Sequence, residues 1–128
     1  MPGNAISVTP NKPAAAEPRV MRGREVYTRH CQTCHGIDGV GAPHWRKMDD
    51  DGMYPPPPLD GSGHAWHHTS AVLRDFILQG SKPGQGRMPA WRGRLSDGEV
   101  GDVIAWMQSL WPDELYAAWL RMEQDDGK

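Results

Sequence analysis

The chain has 128 residues, enough for one domain, and a formal net charge of −2 that gives no reason to expect binding to nucleic acid or an anionic membrane. Only 38% of the residues are hydrophobic, and 15 Gly with 12 Pro move the composition toward that of low-complexity sequence. No run of about 18 apolar residues occurs, so no segment reads as a bilayer-spanning helix.

Residues 1–18 are rich in Pro and Ala without apolar periodicity and read as a flexible leader or linker. Met1-Pro2-Gly3 opens without a charged region followed by an apolar one, so an export signal is expected to be absent from this numbering. The spacing predicts a first helix over 20–34, with Gly23, Val26, Tyr27 and His30 on its inward face. It runs into Cys31-Gln32-Thr33-Cys34-His35, the C-x-x-C-H attachment signature of c-type haem. Two thiols three residues apart on one helical turn can both reach the vinyl groups on one side of a porphyrin. The next residue, His35, then falls under the iron and supplies an imidazole nitrogen.

Two rival readings of the cysteines are weaker. A thioredoxin-type dithiol would follow a strand near a βαβ pattern, and the stretch before Cys31 is helical in character. A zinc site could recruit His64 and His68, but 29 residues separate Cys34 from His64, far more than a compact finger uses. A covalently attached porphyrin also answers the composition, being a large apolar body around which loops can pack.

Residues 36–68 form a long irregular stretch, unusual in a compact domain unless it serves a function, and wrapping one side of a haem would be sufficient. Its last turn gathers His64, Trp66, His67 and His68. Imidazoles at such spacing can converge on a copper or zinc ion. The alternative is that Trp66 and one histidine pack over, or hydrogen-bond to, a haem propionate while the others stay solvated. A second helix fits residues 69–79, with Val72, Leu73, Phe76 and Ile77 inward and Gly80 as its stop.

The following loop carries Gly86-Arg87-Met88-Pro89, and Met88 is the candidate sixth ligand of the iron, 53 residues beyond His35. A thioether favours ferrous iron and raises the reduction potential relative to a second imidazole. Ser96 with Glu99 forms a capping box for a third helix through Val100, Val103, Ile104, Trp106, Met107 and Leu110, halted at Trp111-Pro112. A short terminal helix is expected from Asp113, with Leu115, Ala118, Trp119 and Met122 on one face and a frayed end from Asp125. The expected organisation is thus a leader (1–18), a haem-bearing domain (19–112) and a helical extension with a tail (113–128).

Over residues 20–112 the chain resembles the class I bacterial cytochromes c, monohaem proteins with His/Met ligation. Gly23 and Tyr27 are similar to the glycine and aromatic of that family's first helix, and Trp106 to the aromatic of its last helix, where the two cross closely. Pro57-Pro58-Leu59-Asp60-Gly61 resembles the family's Pro-x-Leu-x-Gly segment, and residues 61–68 resemble a feature of one bacterial subgroup. The resemblance implies an all-α cytochrome c fold, three to five helices with long loops around one covalent haem c. It implies that Cys31 and Cys34 hold the haem, that His35 and Met88 are axial ligands, and that the Pro57 carbonyl accepts the His35 Nδ1 hydrogen. Trp66, His67, Arg87 and Trp91 are candidate contacts to a propionate or the haem pocket.

The function expected is single-electron transfer between redox partners by a periplasmic, monomeric carrier with an exposed haem edge, not an independent enzyme. Alternatives are an electron-input domain or subunit of a larger oxidoreductase, and a gas-binding or peroxidatic haem protein, which would need an open or labile sixth position. Lys82, Arg87, Arg92 and Arg94 form a cationic stretch without an acid, so a basic rim facing an acidic patch on the partner is also expected.

Overall fold

The computed structural model describes residues 12–82 and 86–126. Among these residues it is all-α, with no strand. Helix α1 spans Pro18–His30, α2 Gln32–His35, α3 Ser70–Gln79, α4 Asp97–Ser109 and α5 Asp113–Asp126; 3-10 turns occupy Ile37–Gly39 and Ala65–His67.

Pro18 opens α1 where its missing N–H costs nothing, and Arg29 and His30 in the last turn complement the helix dipole. The continuous helix expected over 20–34 is divided at Cys31, whose φ of −118° departs from helical geometry. The Cys31 N–H still reaches the Tyr27 carbonyl at 2.9 Å, while the Cys31 carbonyl accepts from both Cys34 N (3.1 Å) and His35 N (2.9 Å). That shared acceptor tightens the turn and sets the α2 register. Val20, Gly23, Val26 and Tyr27 are buried as an inward face, whereas His30, expected inward, is exposed and lies 5.0 Å (ring to ring) from Trp91.

Helices α1 and α4 cross at Gly23. A Cβ built there would lie 1.9 Å from the Asp102 carbonyl oxygen and 2.9 Å from Trp106 Cβ, so only glycine permits this approach. One turn along, the Tyr27 and Trp106 rings stack at 4.2 Å with an interplanar angle of 29°, as the resemblance implied. Arg22 flanks the crossing with an ion pair to Asp102 at 3.0 Å. The capping box is present: Ser96 Oγ accepts from Glu99 N (3.1 Å) and Glu99 Oε1 from Ser96 N (2.8 Å). Val100, Val103, Ile104, Ala105, Trp106 and Met107 then form the buried centre of the core.

Helix α3 is capped by Thr69 Oγ1, which accepts from Val72 N at 3.3 Å, and stopped by Gly80 at φ +78°. Its inward face is narrower than expected. Leu73 is buried and Ile77 half-buried, whereas Val72 and Phe76 stay 40% and 45% exposed. The polypeptide covers the Leu73–Ile77 stripe and leaves the neighbouring Val72–Phe76 stripe open.

Helix α5 joins the same core. Trp119, on the face expected, is buried; Tyr116 beside that face is buried as well, while Leu115, Ala118 and Met122 are half-buried. Trp119 Nε1 donates to the His68 carbonyl (2.8 Å) and Ser70 N donates to Glu123 Oε1 (2.9 Å). Helical structure continues through Asp126, past the expected point of fraying.

Candidate functional site

The irregular stretch is organised by backbone pairing. Residues 39–42 run alongside 56–59, with Leu59 N donating to Gly39 O (2.7 Å) and Ala42 N to Pro56 O (2.9 Å). A Cβ on Gly41 would sit 2.5 Å from Pro58 N, so the two strands of loop touch backbone to backbone. Trp111 Nε1 donates to Leu59 O at 2.9 Å, tying this segment to the end of α4.

The pairing brings the Pro57 carbonyl to His35. His35 Nδ1 lies 2.9 Å from Pro57 O, and because a carbonyl can only accept, the proton resides on Nδ1 and Nε2 keeps its lone pair. The imidazole is only 9% exposed. Burial holds its pKa below the ordinary histidine value, with the Pro57 carbonyl pulling weakly the other way. A buried, neutral ring with one fixed nitrogen and one free lone pair is the ligating form of histidine. Just beyond, Tyr27 donates its hydroxyl to the Gly36 carbonyl at 2.5 Å, and burial pushes the Tyr27 pKa up to about 12.

Cys31 and Cys34 are free thiols, half-buried and exposed respectively. Burial, and then the proximity of Cys34, raises the Cys31 thiol to about 11. Haem c fits this donor set: two thiols on adjoining turns, a neutral buried imidazole, and open apolar side chains on the flanking segments (Ile37, Val40, Val72, Phe76).

Met88 is half-buried against the core, and its backbone is held on both sides. Its N–H donates to Ser81 Oγ (3.2 Å) and its carbonyl accepts from Ser81 N (3.0 Å). A Cβ on Gly80 would lie 2.6 Å from the Met88 carbonyl oxygen, so the end of α3 and this loop are in close contact. The remainder of the loop, residues 83–85, lies outside the described residues.

The other candidates divide. Trp91 is buried, with the Arg94 guanidinium 4.4 Å above its ring. Trp66 is half-buried and stacks on His67 at 4.0 Å, while His64 meets Trp45 edge-on at 5.4 Å. These rings pack on aromatics, and among the described residues no three His, Cys, Asp or Glu side chains gather to hold a metal ion. Burial first, then the neighbouring His67 and His64, lowers the His68 pKa.

The Arg87 guanidinium binds Asp49 (2.5 Å) and Asp51 (2.6 Å), partners that its candidate roles at a propionate or on a basic rim did not anticipate. Those aspartates, with Ser81 and Trp111, are the residues that sequence reasoning missed. Asp49-Asp50-Asp51-Gly52 reads as a turn, but nothing local marks a partner 36 to 38 residues away.

Residues 18–107 match the family described as cytochrome c oxidase, cbb3-type, subunit III. The chain belongs to this family of c-type cytochrome domains. Membership carries with it one covalently attached haem c, for which Cys31, Cys34 and His35 supply the attachment signature. The domain is 31% identical over 106 residues to the cbb3-type cytochrome c oxidase subunit FixPc of Rhizobium leguminosarum bv. viciae, covering 82% of this chain and 31% of that protein. It is 28% identical over 110 residues to subunit CcoP of Azospirillum sp. (strain B510), covering 78% and 31%. The chain thus spans about a third of the length of these relatives. The c-type cytochrome XoxG from Methylobacterium extorquens AM1 has the same fold, with a TM-score of 0.55 at 17% identity over 85% of this chain and 67% of that one. The all-α cytochrome c fold expected above is therefore the fold of this cytochrome domain. Among the described residues no helix is long and apolar enough to cross a membrane.

Proposed function

We propose that this cytochrome domain carries single electrons between redox proteins, with His35 and Met88 as the axial ligands of its haem. The observation that carries this reading is the 2.9 Å bond between His35 Nδ1 and the Pro57 carbonyl, which fixes the buried ring and leaves Nε2 unprotonated on the residue that follows Cys34. When bound, haem c supplies a one-electron couple. The chain's own part is to hold both cysteines in thioether linkage, keep the imidazole neutral and oriented, and present the Met88 sulfur from a loop pinned at Ser81. Ligands fixed in this way change little between oxidation states, so electron exchange needs little reorganisation. No catalytic acid–base pair or nucleophile is assigned, and the domain acts as a carrier.

The working environment is the periplasm or the outer side of the cytoplasmic membrane, where c-type haem is attached in bacteria. A second reading is supported by the two relatives named above, which are oxidase subunits about three times the length of this chain. In that reading the domain is the electron-input module of a larger oxidoreductase. Co-purification with an oxidase under native conditions separates it from a free shuttle.

The ligand assignment is tested by visible spectra of both oxidation states. Wild-type ferric protein should show the sulfur-to-iron charge-transfer band, and Met88→Ala should abolish it and lower the potential by on the order of 0.1 V, within the ~0.8 V span that axial ligands govern. If the wild type lacks the band, Met88 is not the ligand, and His44 or His64 takes its place in the assignment.

A further inference from the structure

Arg87, next to Met88, reaches across the molecule to a turn whose geometry suits it. Its Nη1 donates to Asp49 Oδ2 (2.5 Å) and its Nη2 to Asp51 Oδ2 (2.6 Å). The turn is internally fixed before it meets the guanidinium. Asp49 Oδ1 accepts from Asp51 N (2.9 Å) and Met53 N (3.0 Å). Backbone bonds from Asp49 N to Met53 O (2.8 Å) and from Gly52 N to Asp49 O (2.9 Å) close it, with Gly52 at φ +79°. Two carboxylate oxygens are thereby presented side by side to a planar fork of donors, an arrangement that a lysine ammonium cannot reproduce.

Met88 therefore sits between two anchors of different kinds. On one side Ser81 makes two hydrogen bonds to its backbone, backed by Gly80. On the other, one residue away, the two ion pairs tie the loop to residues 49–51. The first anchor is half-buried. The second is solvent-facing, with Arg87 and Asp51 side chains 51% and 75% exposed.

We propose that the Arg87–Asp49/Asp51 clasp is the positioning device that keeps the Met88 thioether on the iron, and that its opening admits competing ligands to the sixth position. This rests on the reading of Met88 as the axial ligand. The physical argument is one of populations. An outside ligand binds only the fraction of molecules in which the sulfur has left, so its apparent affinity scales with that fraction. A solvent-facing ion pair biases the equilibrium without locking it, and salt weakens the bias.

The test uses the haem-loaded ferric protein, titrated with imidazole while the sulfur-to-iron charge-transfer band is followed. Arg87→Gln should raise the apparent imidazole affinity about three- to tenfold, the range open to an exposed two-armed ion pair. Asp51→Asn removes one arm and should produce a smaller rise; it also carries the test if Arg87→Gln does not accumulate haem. Arg121→Gln, on exposed α5 surface, should leave the affinity unchanged. About 1 M salt, where the Debye length is about 3 Å, should move the wild type toward Arg87→Gln and barely affect that variant. Equal affinities in wild type, Arg87→Gln and Asp51→Asn, with the band intact, would overturn the clasp and leave Met88 as ligand. A wild type without the band removes Met88 as ligand and the proposal with it.

Discussion

The α1–α4 crossing and the segments packed around His35 and Met88 are built on opposite principles. At the crossing the chain is placed by exclusion: the space beside Gly23 is closed by the Asp102 carbonyl, and the Tyr27–Trp106 stack fills the next turn. In the loops, position is set by individual hydrogen bonds: Pro57 to His35, Trp111 to Leu59, Ser81 to Met88 and Arg87 to two aspartates. The first design tolerates no added atom, while the second can be loosened one bond at a time. If Met88 is the ligand proposed above, the domain combines a rigid frame with a loop held by separable bonds.

The contrast can be broken most forcefully at Gly23. Gly23→Ala puts a methyl 1.9 Å from a backbone oxygen, so the helices must part. The expected cost is about 3 kcal/mol or more, at or above the usual penalty for overpacking. Guanidinium unfolding of the haem-loaded protein, followed by circular dichroism, measures it; a loss under about 1 kcal/mol would mean that the crossing is softer than its geometry indicates.

Trp111→Phe probes the loop side. It keeps most of the buried ring and leaves the Leu59 carbonyl without its donor, at an expected cost of about 1–3 kcal/mol. Amide exchange should quicken at Leu59, Asp60 and Gly61 and at the paired Ala42 while α1 and α4 stay protected. Equal loosening of the crossing would erase the distinction between the two regions.

The smallest effect sharpens the picture by pH. The Arg87 hydrogen bond, then the Met53 backbone N–H, holds the Asp49 pKa below the ordinary aspartate value. The unfolded chain therefore takes up this proton first on acidification. The contribution is complete above about pH 4 and is lost as pH falls further. The urea midpoints of wild type and Arg87→Gln should differ at neutral pH and draw together as pH falls from about 4 through the depressed Asp49 pKa. A gap that does not narrow at all on acidification below about pH 4 would show that Asp49 is not the group through which Arg87 acts.

Much of this was legible in the chain, and the reasons differ by residue. The C-x-x-C-H run and the Ser96–Glu99 capping box are local, so spacing alone identifies them. Gly23, Tyr27, Trp106 and Pro57 were read through the family resemblance, and the geometry agrees for each. The exposure of Val72 and Phe76 was not legible, since periodicity marks an apolar face without saying how much of it polypeptide will cover. The ion pairs of Arg87 were hidden for a related reason. Counting charges between Asp75 and Asp97 cannot reveal that Arg87 is neutralised by a turn elsewhere in the sequence.

The contacts of α5 have a remote consequence. Trp119 and Glu123 grasp His68 and Ser70 at the start of α3, and Gly80 and Ser81 at its far end touch Met88. α3 is thus a stiff rod, seated at one end in the terminal helix and leaning at the other on the sulfur-bearing loop. A tug on the last helix would be transmitted along that rod, so the colour of the iron centre could report a disturbance at the opposite end of the chain.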